Sequence, residues 1–194
     1  VKRAIPCHIT TGNHDNRDTF IDYLGADLRA ETGFIDKVID AKGHRTILLD
    51  SVVDSDEDTH GGALSDAQLS WLRARLDEHP GPVNVILHHH ANPLHTSVDR
   101  IRLENPEAFV AVLHTHADIR QVIAGHVHYT STGLWRGLPF TTLAGSHYNV
   151  TVPLDGARLV ERLWGPAQIA VVLCDDDQTL VHFENYLDGN PVLC

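Results

Sequence analysis

The tetrapeptide Gly12-Asn13-His14-Asp15 is the stretch around which this sequence is organised. Two further polar clusters lie downstream, at His88-His89-His90 and at Gly125-His126-Val127-His128. All three directly follow a short, largely apolar run, at 5–9, 83–87 and 121–124. In open α/β sheets, ligand-binding residues collect just beyond the carboxyl ends of the strands. The spacing therefore predicts three strand ends that bring Asn and His side chains to one edge of a sheet.

The first two thirds of the chain alternate between predicted helices and predicted strands. Helical spacing of apolar residues predicts a helix at 16–30, with Phe20, Tyr23, Leu24 and Leu28 on its apolar face. A capping-box pattern of Ser65 and Gln68 opens a predicted helix at 65–78, and the N-cap Asn105 opens another. Apolar or alternating runs predict strands at 5–10, 34–39, 45–53, 83–87 and 119–124. Successive short strands then follow at 130–135, 139–143, 158–163, 169–173 and 179–185. This order predicts a mixed α/β sheet packed on a second sheet.

Composition narrows the possible classes of protein. The 194 residues suit a single domain, and the net charge of −11 argues against a basic face that binds nucleic acid. No apolar run approaches the ~18 residues that a membrane span requires. The three cysteines are scattered and do not form a disulfide pattern, which favours a reducing cytoplasm. We therefore expect a cytoplasmic protein with no nucleic-acid or membrane partner.

The order and content of the three clusters resemble the calcineurin-like metallophosphoesterases. The matching motifs are GNHD at 12–15, the strand-borne His pair at 88–89 and GHVH at 125–128. Within that superfamily the chain is most similar to bacterial class III cyclic-nucleotide and glycerophosphodiester phosphodiesterases, from about residue 5 to about residue 185. The resemblance implies a four-layer αββα sandwich and a hydrolase that acts on small phosphodiesters.

The resemblance also implies that an amino-terminal segment is missing. In that family an Asp-x-His pair and a Gly-Asp pair precede GNHD, whereas only eleven residues precede Gly12 here. The chain begins with Val1 and contains no Met. We therefore expect residues 1–194 to be the carboxyl-terminal portion of a single metallophosphoesterase domain that lacks its first strands and helices. Activity would then require the missing segment.

Phosphodiester hydrolysis near neutral pH is well served by two divalent ions that generate bound hydroxide as nucleophile and clamp the phosphate oxygens. Mixed nitrogen and oxygen ligands permit Mn, Fe, Zn or Co. Asn13 is a candidate ligand through its carbonyl oxygen, although a residue of this type also caps helices and turns. His88 is the preferred ligand of its triplet. His89, on the opposite side of an extended strand, is either a supporting or a substrate-binding residue.

The family pattern assigns the remaining site residues. By resemblance, His126 joins Asn13 and His88 on one ion, and His128 belongs to the other; two unrelated loop histidines are the alternative. The family's His pair is usually followed by prolines, whereas His90-Ala91-Asn92 follow it here, which leaves the choice between His88 and His89 as the ligand open. His14 would face the phosphate as a catalytic and substrate-binding residue, oriented by Asp15, which could instead serve a turn.

Several alternatives stay open at this stage. His147 either lines the substrate mouth or belongs to an ordinary loop. Asp58-Thr59-His60 has Asp-x-His spacing but lies in an acidic, Gly-bounded stretch, so a loop is favoured over a metal pair. Two other functions compete with a binuclear enzyme: a catalytically incomplete remnant that acts as a binding or scaffold domain, and a mononuclear zinc site built from His88, His126 and His128. A homo-oligomer is also possible.

Overall fold

A six-stranded mixed sheet forms the centre of the protein. The computed structural model describes residues 5–53, 60–154, 160–165 and 167–187. The sheet order is β1-β2-β3-β4-β6-β5. The strands are β1 (Lys37–Ala41), β2 (His44–Leu49), β3 (Val83–Leu87), β4 (Ile119–His128), β5 (Ser131–Trp135) and β6 (Leu138–Ala144). Strands β2, β3, β4 and β6 run parallel, and the outer strands β1 and β5 are antiparallel to their neighbours. The mixed α/β class predicted from the sequence is confirmed.

Among the described residues, four further strands form two separate two-stranded ribbons. Strand β7 (Asn149–Val150) pairs with β8 (Arg162–Leu163), and β9 (Gln168–Cys174) pairs with β10 (Thr179–Asn185). Of the late strands that the sequence predicts, 130–135 and 139–143 therefore join the main sheet. The strand predicted at 158–163 is observed at Arg162–Leu163; residues 160–161 are not in a strand, and 158–159 lie outside the described residues.

The described residues form three α-helices: α1 (Arg17–Leu24) precedes β1, α2 (Asp66–Asp77) connects β2 to β3, and α3 (Pro106–Leu113) lies between β3 and β4. Short 3₁₀ helices lie at Ala26–Leu28 and Ser97–Ile101. The predicted capping box of α2 is present, with the Ser65 and Gln68 side chains bonded to each other's backbone amides. Asn105 precedes α3 as predicted but does not cap it. Its amide group instead bonds both backbone groups of Leu64, which fastens the start of α3 to the segment before α2. No described helix has the length and apolar content that a bilayer crossing demands.

The main core lies between the sheet and helices α2 and α3. Its largest fully buried members include Phe109, Leu72 and Leu76 from the helices and Ile47 and Leu87 from the sheet. Strand β3 is buried along almost its whole length, as its run of apolar residues, interrupted only by Asn84, predicts. The central strands thus pack against a layer of helices, so the residues at their carboxyl ends are held in fixed positions.

The β1–β2 connection is a tight hairpin. Ala41 pairs with His44, and the two loop residues Lys42 and Gly43 have φ of 50° and 82°. Two successive left-handed residues are the signature of a type I′ turn, whose twist matches that of the strands.

Two predictions about the first thirty residues are wrong. Residues 5–10 form no strand; Ile5 is 89% exposed, and Pro6 lacks the amide hydrogen that a strand ladder needs. Helix α1 also buries a different face from the one predicted. Tyr23 and Leu24 are exposed, whereas Ile21 and the charged Arg17 are buried, because Arg17 pairs with a buried carboxylate.

Candidate metal centre

Three residues from three different parts of the chain converge at one point. Asn13 lies in the loop before α1, His88 directly follows β3, and His126 lies near the end of β4. The Asn13 Oδ1 atom is 2.9 Å from His88 Nε2 and 3.2 Å from His126 Nδ1. The two imidazole nitrogens are 3.1 Å apart. The structure therefore brings together the three residues that the family resemblance assigns to one ion.

The spacing of these donor atoms fits a divalent metal ion. Ligands about 2.1 Å from an ion lie roughly 3.0 Å apart at adjacent octahedral positions and roughly 3.4 Å apart in a tetrahedron. The three observed separations of 2.9, 3.1 and 3.2 Å match this range. Two imidazole nitrogens and a neutral amide oxygen form a donor set that suits Mn, Fe, Co or Zn.

The orientation of the Asn13 amide is set by a fourth residue. The Asn13 Nδ2 atom lies 3.3 Å from His60 Nδ1, so the amide group donates to His60 and turns Oδ1 toward the two imidazoles. The sequence assigned His60 to a loop and missed this role. Asp58 and Thr59, the other members of that stretch, lie outside the described residues.

Burial keeps the clustered imidazoles neutral. Desolvation, together with a smaller effect of the neighbouring imidazoles, lowers the pKa of His88, His89 and His126 to about 3. Metal ligation requires an unprotonated imidazole, so this environment prepares the ligands at neutral pH. Desolvation, the larger of the two causes, follows from the position of these rings at the edge of a packed sheet.

An irregularity in β4 directs its two histidines. Between Ala124 and His128 the register of β4 against β6 shifts, so that four steps along β4 oppose two along β6. His126 and His128 have φ of 70° and 57°, in the left-handed region that non-glycine residues seldom occupy. Strained backbone of this kind concentrates at functional sites. Here it turns His126 toward His88 and His128 away from it.

The His128 imidazole is held in place by Tyr148. Its Nδ1 atom is 2.8 Å from the carbonyl oxygen of Tyr148, and the two rings lie 4.2 Å apart at 31°. Because the carbonyl only accepts, Nδ1 carries the proton and Nε2 keeps its lone pair for a ligand. Among the described residues, three histidines have ring nitrogens within 4.8 Å of one another and could hold one ion together: His88, His89 and His126. His128 is not one of these three. The mononuclear alternative from His88, His126 and His128 therefore finds no support in this geometry.

His89 lies behind the converging donors. It is fully buried, its Nδ1 atom is 2.8 Å from Ser51 Oγ, and its ring packs 5.0 Å from that of His88. This position matches the supporting role that the sequence allowed, and a fully buried ring has no surface to offer a substrate. His88 rather than His89 is the residue that meets Asn13.

His14 and Asp15 lie at the exposed rim of the site. The His14 ring is 5.8 Å from that of His60, and His14 and Asp15 border a cavity together with Phe20, Tyr23 and other residues of α1. The Asp15 carboxylate accepts a hydrogen bond from the Gly12 amide at 2.7 Å and so closes the turn. Among the described residues, the Asp15 carboxylate does not make the predicted contact with the His14 imidazole; it takes part in the turn instead.

Gly12 lies close to the His88 ring. A side chain at Gly12 would meet this ring at 2.9 Å, so the close approach requires glycine.

The other predicted substrate residue, His147, is exposed on the loop between β6 and β7. Its ring meets Tyr148 edge-on at 5.7 Å and Trp164 at 6.3 Å. Since Tyr148 stacks on His128, His147 is two contacts away from a candidate ligand.

A buried ion pair that the sequence did not reveal fastens the Asn13 loop to the sheet. Asp50, directly after β2, accepts hydrogen bonds from Arg17 Nε at 2.6 Å and from Thr11 Oγ1 at 2.7 Å. Both charged side chains are almost completely buried. Burial by itself would raise the pKa of Asp50, but the hydrogen bonds and the guanidinium charge hold the pKa below its ordinary value. Asp50-Ser51 follows the apolar run 47–49, so the same strand-end pattern was present in the sequence.

The chain belongs to the calcineurin-like phosphoesterase family, whose family model matches residues 1–130. It is 27% identical over 190 residues to a probable cyclic nucleotide phosphodiesterase of Rhodopseudomonas palustris, covering 96% of this chain and 69% of that one. It is 34% identical over 177 residues to a probable cyclic nucleotide phosphodiesterase of Rhodococcus erythropolis, covering 88% of this chain and 55% of that one. The predicted family is confirmed. The chain thus spans between about half and two thirds of these relatives.

A solved structure supports the same fold. The crystal structure of a dimetal phosphatase from Danio rerio superimposes with a TM-score of 0.58 at 21% sequence identity, covering 81% of this chain and 71% of that one. The predicted metallophosphoesterase-type fold is therefore confirmed for the part of the chain that the structure describes.

Proposed function

We propose that this chain carries the metal site of a phosphodiesterase that hydrolyses small diesters of the cyclic-nucleotide or glycerophosphodiester type. The observation that carries the proposal is the triangle of Asn13 Oδ1, His88 Nε2 and His126 Nδ1, with edges of 2.9, 3.1 and 3.2 Å. Hydrophobic packing does not explain why three polar atoms from distant segments meet at a half-buried position, whereas a shared cation does. Family membership supports the same conclusion.

The residues of this chain would divide the work as follows. Asn13, His88 and His126 hold one divalent ion, and His128 contributes Nε2 to a second. When bound, such ions activate water as a nucleophile and neutralise the phosphate oxygens. His14, exposed at the rim, hydrogen-bonds the phosphate and protonates the departing alkoxide. Asp15 keeps the loop closed through Gly12, and His60 keeps Oδ1 of Asn13 facing inward.

The test measures metal binding and hydrolysis separately. Titration with Mn²⁺ and Zn²⁺, followed by isothermal calorimetry, should show an ion whose affinity falls at least about tenfold in Asn13→Ala and His88→Ala. His182→Ala, an exposed histidine of β10, is the matched control and should leave the affinity unchanged. Loss of affinity in the control to the same degree, or no ion bound in the wild type, would overturn the proposal.

Hydrolysis of bis(p-nitrophenyl) phosphate is measured with this chain and with the protein as its gene encodes it. Release of nitrophenolate that requires added metal and fails in His14→Ala supports the catalytic assignment. Tight metal binding without hydrolysis in either preparation would identify a binding or scaffold domain instead.

A further inference from the structure

The loop region beyond β6 exposes an aromatic surface that packing does not explain. Trp164, directly after β8, is 92% exposed, more than any other large apolar side chain that the structure describes. Leaving a whole indole in water forfeits one of the largest hydrophobic gains that a side chain offers. An aromatic side chain in such a position is well suited to meet a ligand.

Strand pairing places this tryptophan beside the candidate metal centre. Asn149 pairs with Leu163 in the β7–β8 ribbon, so Tyr148 and Trp164 leave the ladder at the same end. Asn149 also bonds the carbonyl oxygen of Gly165 at 3.2 Å, which holds the segment after Trp164 against β7. The ribbon thus fixes the tryptophan next to the residue that stacks on His128.

Tyr148, His147 and Trp164 form a series of ring contacts that leads away from His128, and we call the angle between His147 and Trp164 the aromatic corner. Tyr148 stacks on His128 at 4.2 Å, the His147 ring meets Tyr148 at 82°, and Trp164 meets His147 at 70°. In each edge-to-face pair the edge of one ring meets a face of the other, so at least one face of His147 and of Trp164 is left uncovered by its partner. A planar ring of a ligand can therefore stack on one of these two rings while its edge meets the other.

A cation accompanies the aromatic rings. The Arg162 guanidinium lies 5.0 Å from the centre of the Tyr148 ring and is exposed. In a chain with a net charge of −11, a fixed positive group at this place favours an anionic ligand over the surrounding acidic surface.

We propose that Trp164, His147 and Arg162 form a specificity subsite for phosphodiesters that carry a planar aromatic group, such as a nucleobase. This inference rests on the proposed function, since it places the phosphate at the His128 side of the corner. The aromatic group stacks in the corner while Arg162 faces the anionic part of the substrate. Stacking is tolerant of base identity because every base has a π face, so the subsite separates aromatic from aliphatic diesters rather than one base from another.

Kinetics with two substrates test the subsite. Cyclic AMP represents the aromatic diesters and glycerophosphoethanolamine the aliphatic ones. Trp164→Ala should lower kcat/KM for cyclic AMP about tenfold while kcat/KM for the aliphatic diester stays within about twofold. Trp164→Phe, which keeps a stacking ring, should restore most of the loss. Leu134→Ala, a truncation of an exposed residue of β5, is the control and should affect neither substrate.

Equilibrium binding decides the matter independently of turnover. Trp164→Ala should weaken binding of adenosine 5′-monophosphate about tenfold and leave binding of glycerol 3-phosphate unchanged. Equal effects on both ligands, or on neither, would overturn the subsite. If the protein as its gene encodes it hydrolyses neither diester, the proposed function fails, and the comparison of these two monophosphates still tests the aromatic corner.

Discussion

Replacing Arg17 by leucine should destabilise the protein severely. The guanidinium donates to Asp50 through Nε at 2.6 Å and through a terminal nitrogen at 3.2 Å, and to the carbonyl oxygen of Val52 at 2.6 Å. Arg17 and Asp50 are 4% and 0% exposed, so removal of the cation leaves a carboxylate buried without its charge partner. Breaking a buried pair in this way costs about 3–5 kcal/mol. That is a large fraction of the roughly 5–15 kcal/mol that stabilises a typical domain.

The measurement is urea unfolding at pH 7, followed by tryptophan fluorescence. We expect the free energy of unfolding to fall by about 4 kcal/mol with an unchanged dependence on urea. Arg73→Leu, on the exposed face of α2, is the matched control and should change it by less than about 0.5 kcal/mol. A double replacement of Arg17 and Asp50 by leucine should recover part of the loss, because no lone charge stays buried.

The pH dependence provides the sharper part of this test. In the wild type the folded pKa of Asp50 is lowered, so the ion pair stabilises the fold above the unfolded pKa of about 4 and is lost as the pH falls through the folded value. In Arg17→Leu, burial acts without the compensating charge and raises that pKa. The variant should therefore approach the wild type in stability as the pH falls from 7 toward 4. A difference that is small at pH 7, or that grows on acidification, would refute the reasoning.

Two further outcomes follow from the packing and charge of the site. Gly62→Ala should lower the free energy of unfolding by about 2–3 kcal/mol, because the added Cβ would lie 2.2 Å from His89 Nδ1, whereas Gly133→Ala, with open space around it, should be nearly neutral in the same urea assay. In metal-free protein, the lowered pKa values of His88, His89 and His126, each about 3, mean that the unfolded chain binds more protons below its ordinary histidine pKa of about 6.5. Thermal melts should therefore show stability rising with pH between about 3 and 6.5 and then levelling; a melting temperature that falls across this range would contradict the buried, neutral cluster.

Local pattern was sufficient to predict the parts of the fold that local physics controls. The run at β3, apolar except for Asn84, predicted a central strand, and the Ser65–Gln68 capping box predicted the start of α2 within a residue. The strand ends then predicted where His88 and His126 would lie, because neighbouring parallel strands open at the same edge of a sheet.

The first thirty residues show where local pattern fails. The run at 5–9 is apolar enough for a strand, yet it contains Pro6 and pairs with no strand in the described part of the chain. On α1, the apolar Tyr23 is exposed while Arg17 is buried, since the partner of Arg17 lies 33 residues away at Asp50. Pairings over such distances in sequence leave no periodic signal. The contact between His60 and Asn13 was missed for the same reason.

The predicted site therefore depends on a contact that the sequence pattern did not contain. His88 and His126 are positioned by neighbouring parallel strands of a packed sheet, so their separation is set by the strand spacing and by the irregularity in β4. Asn13 has no such strand, and its loop is fastened through Thr11 and Arg17 to the carboxylate of Asp50. Because a donor shifted by about 1 Å no longer fits an ion held at about 2.1 Å, the Asp50 network contributes to the geometry of the site as well as to stability. Selection on metal binding would thus preserve a buried ion pair that hydrophobic residues of similar volume could otherwise replace without loss of stability.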